Sequence, residues 1–340
     1  MMKEYILMEK RLIRTLEPVT SILLSFLIGA LVVLMIGESP AAAFSVMVRG
    51  AFGSMLGLSS TIAKMTTLTM CGLSYAFAFR CGLVNIGAEG QMYMGALCAA
   101  VVVLKMPGPG VLVVLTALLA GTLGGALFGA LVALLKIRFG ANEVITTVML
   151  NYVAMYLVQW AVSGPIQDPS SDAAQTVIFD QSRWLPYLPG TKINVGVFLW
   201  KTKAGFALQI VGQNRNAAAY AGISVQKNFL LSMFLAGAIG GLGGTLEVLG
   251  VQHRLLKGMA SNYGFDGIAV ALLGGNNPAG MFLSGILLGA MKSGGSAMQM
   301  FTRVPCSVVD LIRAMVIVFV LVNVLGHILA DRKRGKLEYV

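Results

Sequence analysis

Three stretches of this chain, Val19–Gly37, Val111–Leu135 and Val308–Ala330, are each apolar over a length that spans a hydrocarbon core, for which ~20 residues are needed. Runs of that kind dictate membrane helices, since a closed barrel would show alternating segments of about 10 residues. Composition agrees. Of 340 residues 57% are hydrophobic and 11% charged, and the mean hydropathy is +0.81. A soluble chain carries roughly 25% charged residues, so the surface left without charge must face lipid. The expected fold class is therefore all-α, a polytopic integral membrane protein.

The net charge of +11 does not point to nucleic acid, because of where the cations sit. They gather at Lys3, Lys10, Arg11 and Arg14, at Lys136 and Arg138, and at Arg332, Lys333, Arg334 and Lys336. Basic termini and short basic loops mark the cytoplasmic side of a membrane protein. Cys71, Cys81, Cys98 and Cys306 have no metal-ligand spacing and read as small buried hydrophobes. His253 and His327 are too few and too scattered for a metal site. The charged stretch ahead of Val19–Gly37 is long for a cleaved leader, so that run is expected to stay as a first helix.

Apolar segments are read at about 19–37, 58–79, 83–104, 110–135, 142–162, 228–250, 264–275, 279–300 and 308–330. Residues 1–18 form a basic cytoplasmic N-terminal segment, 19–330 the transmembrane domain and 331–340 a basic tail. Within the domain, 38–57 reads as an outer loop or interfacial segment, 163–195 as an external loop and 201–226 as a basic cytoplasmic segment. Two basic termini on one side require an even number of crossings, and this reading gives nine. Only Val195–Trp200 separates the external loop from the basic segment. Six extended residues at ~3.4 Å each cannot cross a core about 30 Å thick. The plan is thus nine to ten transmembrane helices, one short near 193–201. A weak internal repeat relates Asn85–Leu97 to the segment from Asn276 onward, each a polar, Gly-rich break entering an apolar helix. Paired broken helices point to a central transport pathway.

Polar residues inside such spans must face protein or water, because unpaired burial costs several kcal/mol. Gly82-Leu-Val-Asn-Ile-Gly-Ala-Glu-Gly-Gln91 supplies Asn85, Glu89 and Gln91. They read either as pathway lining or as a helix start, with Asn85 capping and Glu89 in the field of the helix N-terminus. Asn142, Glu143, Thr146, Thr147 and Asn151 form a stripe with the same two readings, pathway or cap and interhelical bonds. In the second half, Phe265 and Asp266 follow Tyr263-Gly, which suits stacking on a planar ligand as well as plain packing, and Asn276 and Asn277 join them as lining candidates. Glu247 reads as an intramembrane acid with an internal partner. Residues 205–223 hold a short helix capped by Asn214 or Asn216, running over Ala217–Tyr220 and ended by Gly222, of a kind that docks into another protein's groove. There is no G-x-x-x-x-G-K-[ST] motif and no visible catalytic set, so no enzyme and no ATP site is expected on this chain.

On Gly82–Gln91, ANEVITTVMLN (Ala141–Asn151), KTKAG (Lys201–Gly205), Gly212–Ile223 and YGFDGIAVALLGGNNPAG (Tyr263–Gly280), the chain resembles permease subunits of ABC importers of the branched-chain amino acid and simple-sugar class, nucleoside branch. The likeness runs from the second helix to the end. It implies a transmembrane half-transporter in the bacterial cell membrane, paired with a second permease, two ATP-binding subunits and an extracellular binding lipoprotein. ATP and Mg would be bound by the partner subunits. Gly212, Asn214, Asn216, Ala217, Ala218, Tyr220 and Gly222 would form the loop that contacts the ATPase. Gln209 and Arg215 depart from the arginine and proline usual there, and Asn194-Val-Gly196 runs almost directly into Lys201-Thr-Lys-Ala-Gly205, where a full helix commonly intervenes. The implied function is nucleoside import by alternating access. Alternatives are a simple-sugar permease and, from another class, an ion-coupled secondary transporter or channel, which the shortage of mid-span acids and the docking loop disfavour.

Overall fold

The computed structural model describes residues 2–185, 224–320 and 322, with 2–18 as backbone only. Its α-helices are α1 (Met2–Met35), α2 (Pro40–Phe52), α3 (Met55–Arg80), α4 (Ala88–Lys105), α5 (Gly110–Phe139), α6 (Glu143–Val162), α7 (Val225–Glu247), α8 (Tyr263–Leu273), α9 (Pro278–Phe301) and a last helix, α10, over 307–320. No strand is formed among the described residues. The protein is an all-helical, multi-pass membrane protein. α5, α6 and α7 with its continuation to Gln252 are long and apolar enough to cross a bilayer, and Val19–Met35 with Pro40–Phe52 form a fourth such element if counted as one broken span. α3, α4 and α9 have spanning length, at 26, 18 and 24 residues, but carry more polar side chains. The junction at 193–201, the docking segment 212–223 and the basic tail lie outside the described residues.

One compact unit comprises Met1–Lys64 and Ile286–Val340. Here 38–57, read in the sequence as an outer loop or interfacial segment, holds the helix α2 and the first residues of α3. α1 ends at Met35 and is followed by Gly37, whose φ of 88° only glycine adopts freely, and α2 is bent from α1 by 118°. Ser39 caps α2 through the Ala42 N–H, and Pro40 takes the first helical position, where its missing N–H costs nothing. α2 lies close on α9, with the Gly50 backbone against Ala297 and Gly294 against the Met47 carbonyl. Phe26 of α1 meets Phe44 of α2 edge to face at 5.5 Å.

Met65–Gly285 is the second unit. Its centre is a three-helix contact of α4, α5 and α7 made by glycines. On α5, Gly121, Gly125 and Gly129 recur every four residues and turn inward, while Leu115, Leu119, Leu123 and Leu127 recur at the same spacing on the exposed face. A methyl group placed on Gly125 would stand 2.5 Å from the Gly241 Cα, and one on Gly241 would stand 2.5 Å from the Gly121 carbonyl. Gly95 of α4 meets Gly241 in the same way. Between membrane helices there is no water to expel, so close backbone approach is what dispersion has to work with. One side of α5 is lipid-facing leucine and the other is helix-facing glycine.

Candidate functional site

α3 stops at Arg80 because Gly82 takes a φ of 71° and closes the helix with Cys81, Gly82 and Leu83 N–H bonds back to Ala78 and Phe79. The chain then runs unwound to Gly87 before α4 begins. This break carries the polar motif. Asn85, wholly buried, takes the Gly87 N–H on Oδ1 at 3.0 Å and donates from Nδ2 to the Ser74 hydroxyl at 3.0 Å. Ser74 donates in turn to Gln91 Oε1 at 2.9 Å, and Gln91 Nε2 returns to Asn85 Oδ1 at 3.2 Å. The three side chains close a ring of hydrogen bonds. Sequence reading missed Ser74, since one serine among the serines and threonines of α3 carries no signal of its own.

Asn151 comes in from α6. Its Oδ1 accepts the Gly90 N–H at 2.8 Å, and its Nδ2 donates to the Ile86 carbonyl at 2.9 Å. It thereby satisfies one amide that the start of α4 leaves open and one carbonyl of the unwound segment. Thr147, one turn earlier on α6, lies buried against Gly87 and gives its own proton to the Glu143 carbonyl at 2.7 Å. Glu89 sits in the first turn of α4, where the helix field favours an anion. α8 begins beside it, and a methyl group on Gly264 would stand 2.6 Å from the Glu89 nitrogen. Asp266 is buried in the first turn of α8, whereas Phe265 is 43% exposed. The structure thus gathers Asn85, Glu89, Gln91, Thr147, Asn151 and the start of α8 around the first turn of α4.

Two candidate groups stand elsewhere. Asn142 caps α6, accepting the Val144 N–H at 2.9 Å, and Glu143 pairs with Lys136 at 2.5 Å. The Lys136 ammonium also lies 5.9 Å from the Phe229 ring centre, so one cation joins α5, α6 and the first turns of α7. Asn276 and Asn277 form the turn between α8 and α9. Asn276 has a φ of 53°, and its carbonyl accepts from Arg80 Nη2 at 3.0 Å. Both similar segments named in the sequence are therefore helix breaks, and Arg80 ties one to the other.

Glu247 does have internal partners. It is 3% exposed, with Oε2 taking the Thr67 hydroxyl at 2.7 Å and Oε1 the Gln252 amide at 3.1 Å. At the same end of α7 the loop of 163–185 is held as a ribbon against 249–257. Thr176 N–H donates to the Leu255 carbonyl at 3.0 Å, Phe179 N–H to His253 at 2.8 Å and Leu185 N–H to Leu249 at 3.2 Å. Trp184 stacks on His253 with ring centres 3.7 Å apart and planes 11° from parallel, and donates from Nε1 to the Phe179 carbonyl at 2.8 Å. Burial under the indole holds the His253 imidazolium pKa below its usual value, although the Leu249 carbonyl on Nδ1 works the other way. In the loop itself, hydroxyl and amide bonds from Ser170 hold the Asp168 carboxyl below the carboxylate range. No group of three or more His, Cys, Asp or Glu side chains is placed to hold a metal among the described residues.

Glycine-packed helices with two broken elements and polar side chains spent on those breaks define a membrane transport subunit. Residues 57–321 match the family described as branched-chain amino acid transport system / permease component, and the chain belongs to that family. It is 38% identical over 330 residues to the guanosine ABC transporter permease protein NupP of Bacillus subtilis, covering 92% of this chain and 94% of that one. It is 30% identical over 345 residues to the nucleoside ABC transporter permease protein NupB of Lactococcus lactis, covering 95% and 94%. The glucose ABC transporter permease protein TsgB13 of Haloferax volcanii is 30% identical over 329 residues, covering 90% and 87%. No solved structure matches the chain.

Proposed function

We propose that this chain is the membrane-spanning subunit of an ATP-driven importer of nucleosides. The 38% identity to a guanosine permease over nearly the full length of both chains carries the reading. The broken α3–α4 and α8–α9 elements support it, because interrupted helices expose backbone and side-chain polar groups along a route through the bilayer. Glu89, Phe265 and Asp266, at the meeting of α4 and α8, line that route. Asn85, Gln91, Thr147 and Asn151 hold the α4 break in shape, and Asn276 and Asn277 shape the α8–α9 break. Asn142 and Glu143 set the start of α6.

The partners are an ATP-binding subunit, a second permease subunit and an extracellular binding lipoprotein. ATP and Mg belong to the ATP-binding subunits. The loop of 163–195 faces outward, and both termini face the cytoplasm, as does the 212–223 segment, which docks the ATPase. The glucose permease relative favours one second reading, a simple-sugar importer.

Co-purification tests the assembly. The intact chain is expected to bring down its ATP-binding subunit, and replacing Asn214–Tyr220 by a Gly/Ser linker to abolish this. Retention of the ATPase by the linker variant removes the docking role. Reconstituted uptake with labelled nucleosides and glucose then separates the two substrate readings.

A further inference from the structure

The C-terminal end of α7 departs from α-helical geometry. After Glu247 the backbone winds as a π-helix over Val248–Gln252. The i→i+5 bonding of a π-helix brings residue 252 back toward the side of residue 247, and the Gln252 amide meets Glu247 at 3.1 Å. In an α-helix it would point well round the axis. Single π turns inside helices recur at functional sites.

The result is a buried carboxylate with two neutral donors, the Thr67 hydroxyl and the Gln252 amide, and no cation paired with it among the described residues. A carboxylate has about four acceptor positions, so two remain unused. Gln252 Oε1 is buried as well and has no hydrogen-bond partner among the described residues. Gln252 Oε1 thus stands unmet beside a carboxylate whose two oxygens each accept one bond and have room for a second. A buried acceptor left without a donor is costly. A cluster of acceptors is complementary to a neutral ligand that offers adjacent N–H donors.

We infer that Glu247 and Gln252, steadied by Thr67, form a binding station that reads the donor edge of a guanine-type base, with its ring N–H and neighbouring amino group. This rests on the nucleoside reading above. Two N–H groups side by side match the two oxygens of a carboxylate as a bidentate pair. Adenine and cytosine place a ring nitrogen acceptor beside their amino group, and that acceptor meets the carboxylate with like polarity. The station is closed at 3% exposure of Glu247, so the ligand enters it in another state of the transport cycle.

The test uses the whole transporter in vesicles, with its own ATPase, second permease and binding protein, and reads the ratio of guanosine to adenosine uptake. A ratio cancels any change in the amount of active protein. Glu247→Gln turns one acceptor into a donor, and Gln252→Ala removes another. The expected result is a preference for guanosine in the native transporter that falls about tenfold or more in Glu247→Gln, and severalfold in Gln252→Ala. Hydrogen bonds to a charged group carry about 1.5–3 kcal/mol, and each 1.4 kcal/mol is tenfold. Should Glu247→Gln not reach the membrane, Gln252→Ala decides alone. An unchanged ratio with uptake intact overturns the station, as does a native ratio near one. Absence of any nucleoside uptake by the native transporter overturns the substrate reading itself.

Discussion

Asn151 of α6 and Gly90 of α4, 61 positions apart, are joined by a 2.8 Å hydrogen bond from the Gly90 N–H to the Asn151 side-chain oxygen. The same side chain donates to Ile86, so one residue closes both sides of the α4 break. Asn151→Leu leaves a buried N–H and a half-buried carbonyl without this partner, which predicts a loss of about 2 kcal/mol in unfolding free energy in micelles. Asn151→Asp keeps the acceptor at a helix N-terminus and loses only the donor, so its loss is about 1 kcal/mol.

The glycine contact of α5 with α7 predicts a steep size dependence. Gly241→Ala sets a methyl group 2.5 Å from the Gly121 carbonyl, against backbone that cannot swing aside. Destabilisation of about 1–3 kcal/mol is expected, by the usual cost of overpacking. Gly250→Ala is the control. Its nearest neighbour would be a Leu185 methyl at 4.0 Å, ordinary contact. It should change stability by no more than about 0.5 kcal/mol, read by thermal unfolding.

The stack of Trp184 on His253 predicts a pH response. The His253 pKa lies below 6.5 in the folded protein. The neutral ring therefore contributes stability that is complete above that value and is lost as pH falls through the folded-state pKa. In a Trp160→Phe, Trp200→Phe background, Trp184 fluorescence should change on acidification with a midpoint below 6.5, and His253→Gln should abolish the change. A midpoint at or above 6.5 contradicts the burial of the imidazole.

Lys136 and Glu143, with side chains 19% and 15% exposed, join α5 to α6. Lys136→Met and Glu143→Gln should each cost about 1 kcal/mol, partly screened by water. The double variant should lose less than the sum. Additivity in the double cycle would show that the pair carries no coupling.

Much of this architecture was legible because lipid imposes length and apolarity on whole segments. The spans read at 110–135, 142–162, 264–275 and 279–300 fall within a few residues of α5, α6, α8 and α9. α2 was not read as a helix, since 13 residues broken by glycine resemble a loop, although Ser39-Pro40 is a start signal. Among the polar residues, the α4 break was visible as a motif. Which of its side chains bond to one another was not, since Ser74 and Asn151 come from other helices. The Glu247–Gln252 pair was hidden for a different reason. A spacing of five carries no message in an α-helical reading and acquires one only when the backbone winds as a π turn.

The central claim is that this chain forms the membrane path of an ATP-driven nucleoside importer. Its most direct test is uptake of labelled nucleoside into vesicles holding the complete transporter, with and without ATP at the ATPase face. ATP-dependent accumulation, suppressed by excess unlabelled nucleoside but not by excess glucose, is the predicted result. Accumulation driven by an ion gradient without ATP, or suppressed by glucose alone, would contradict it.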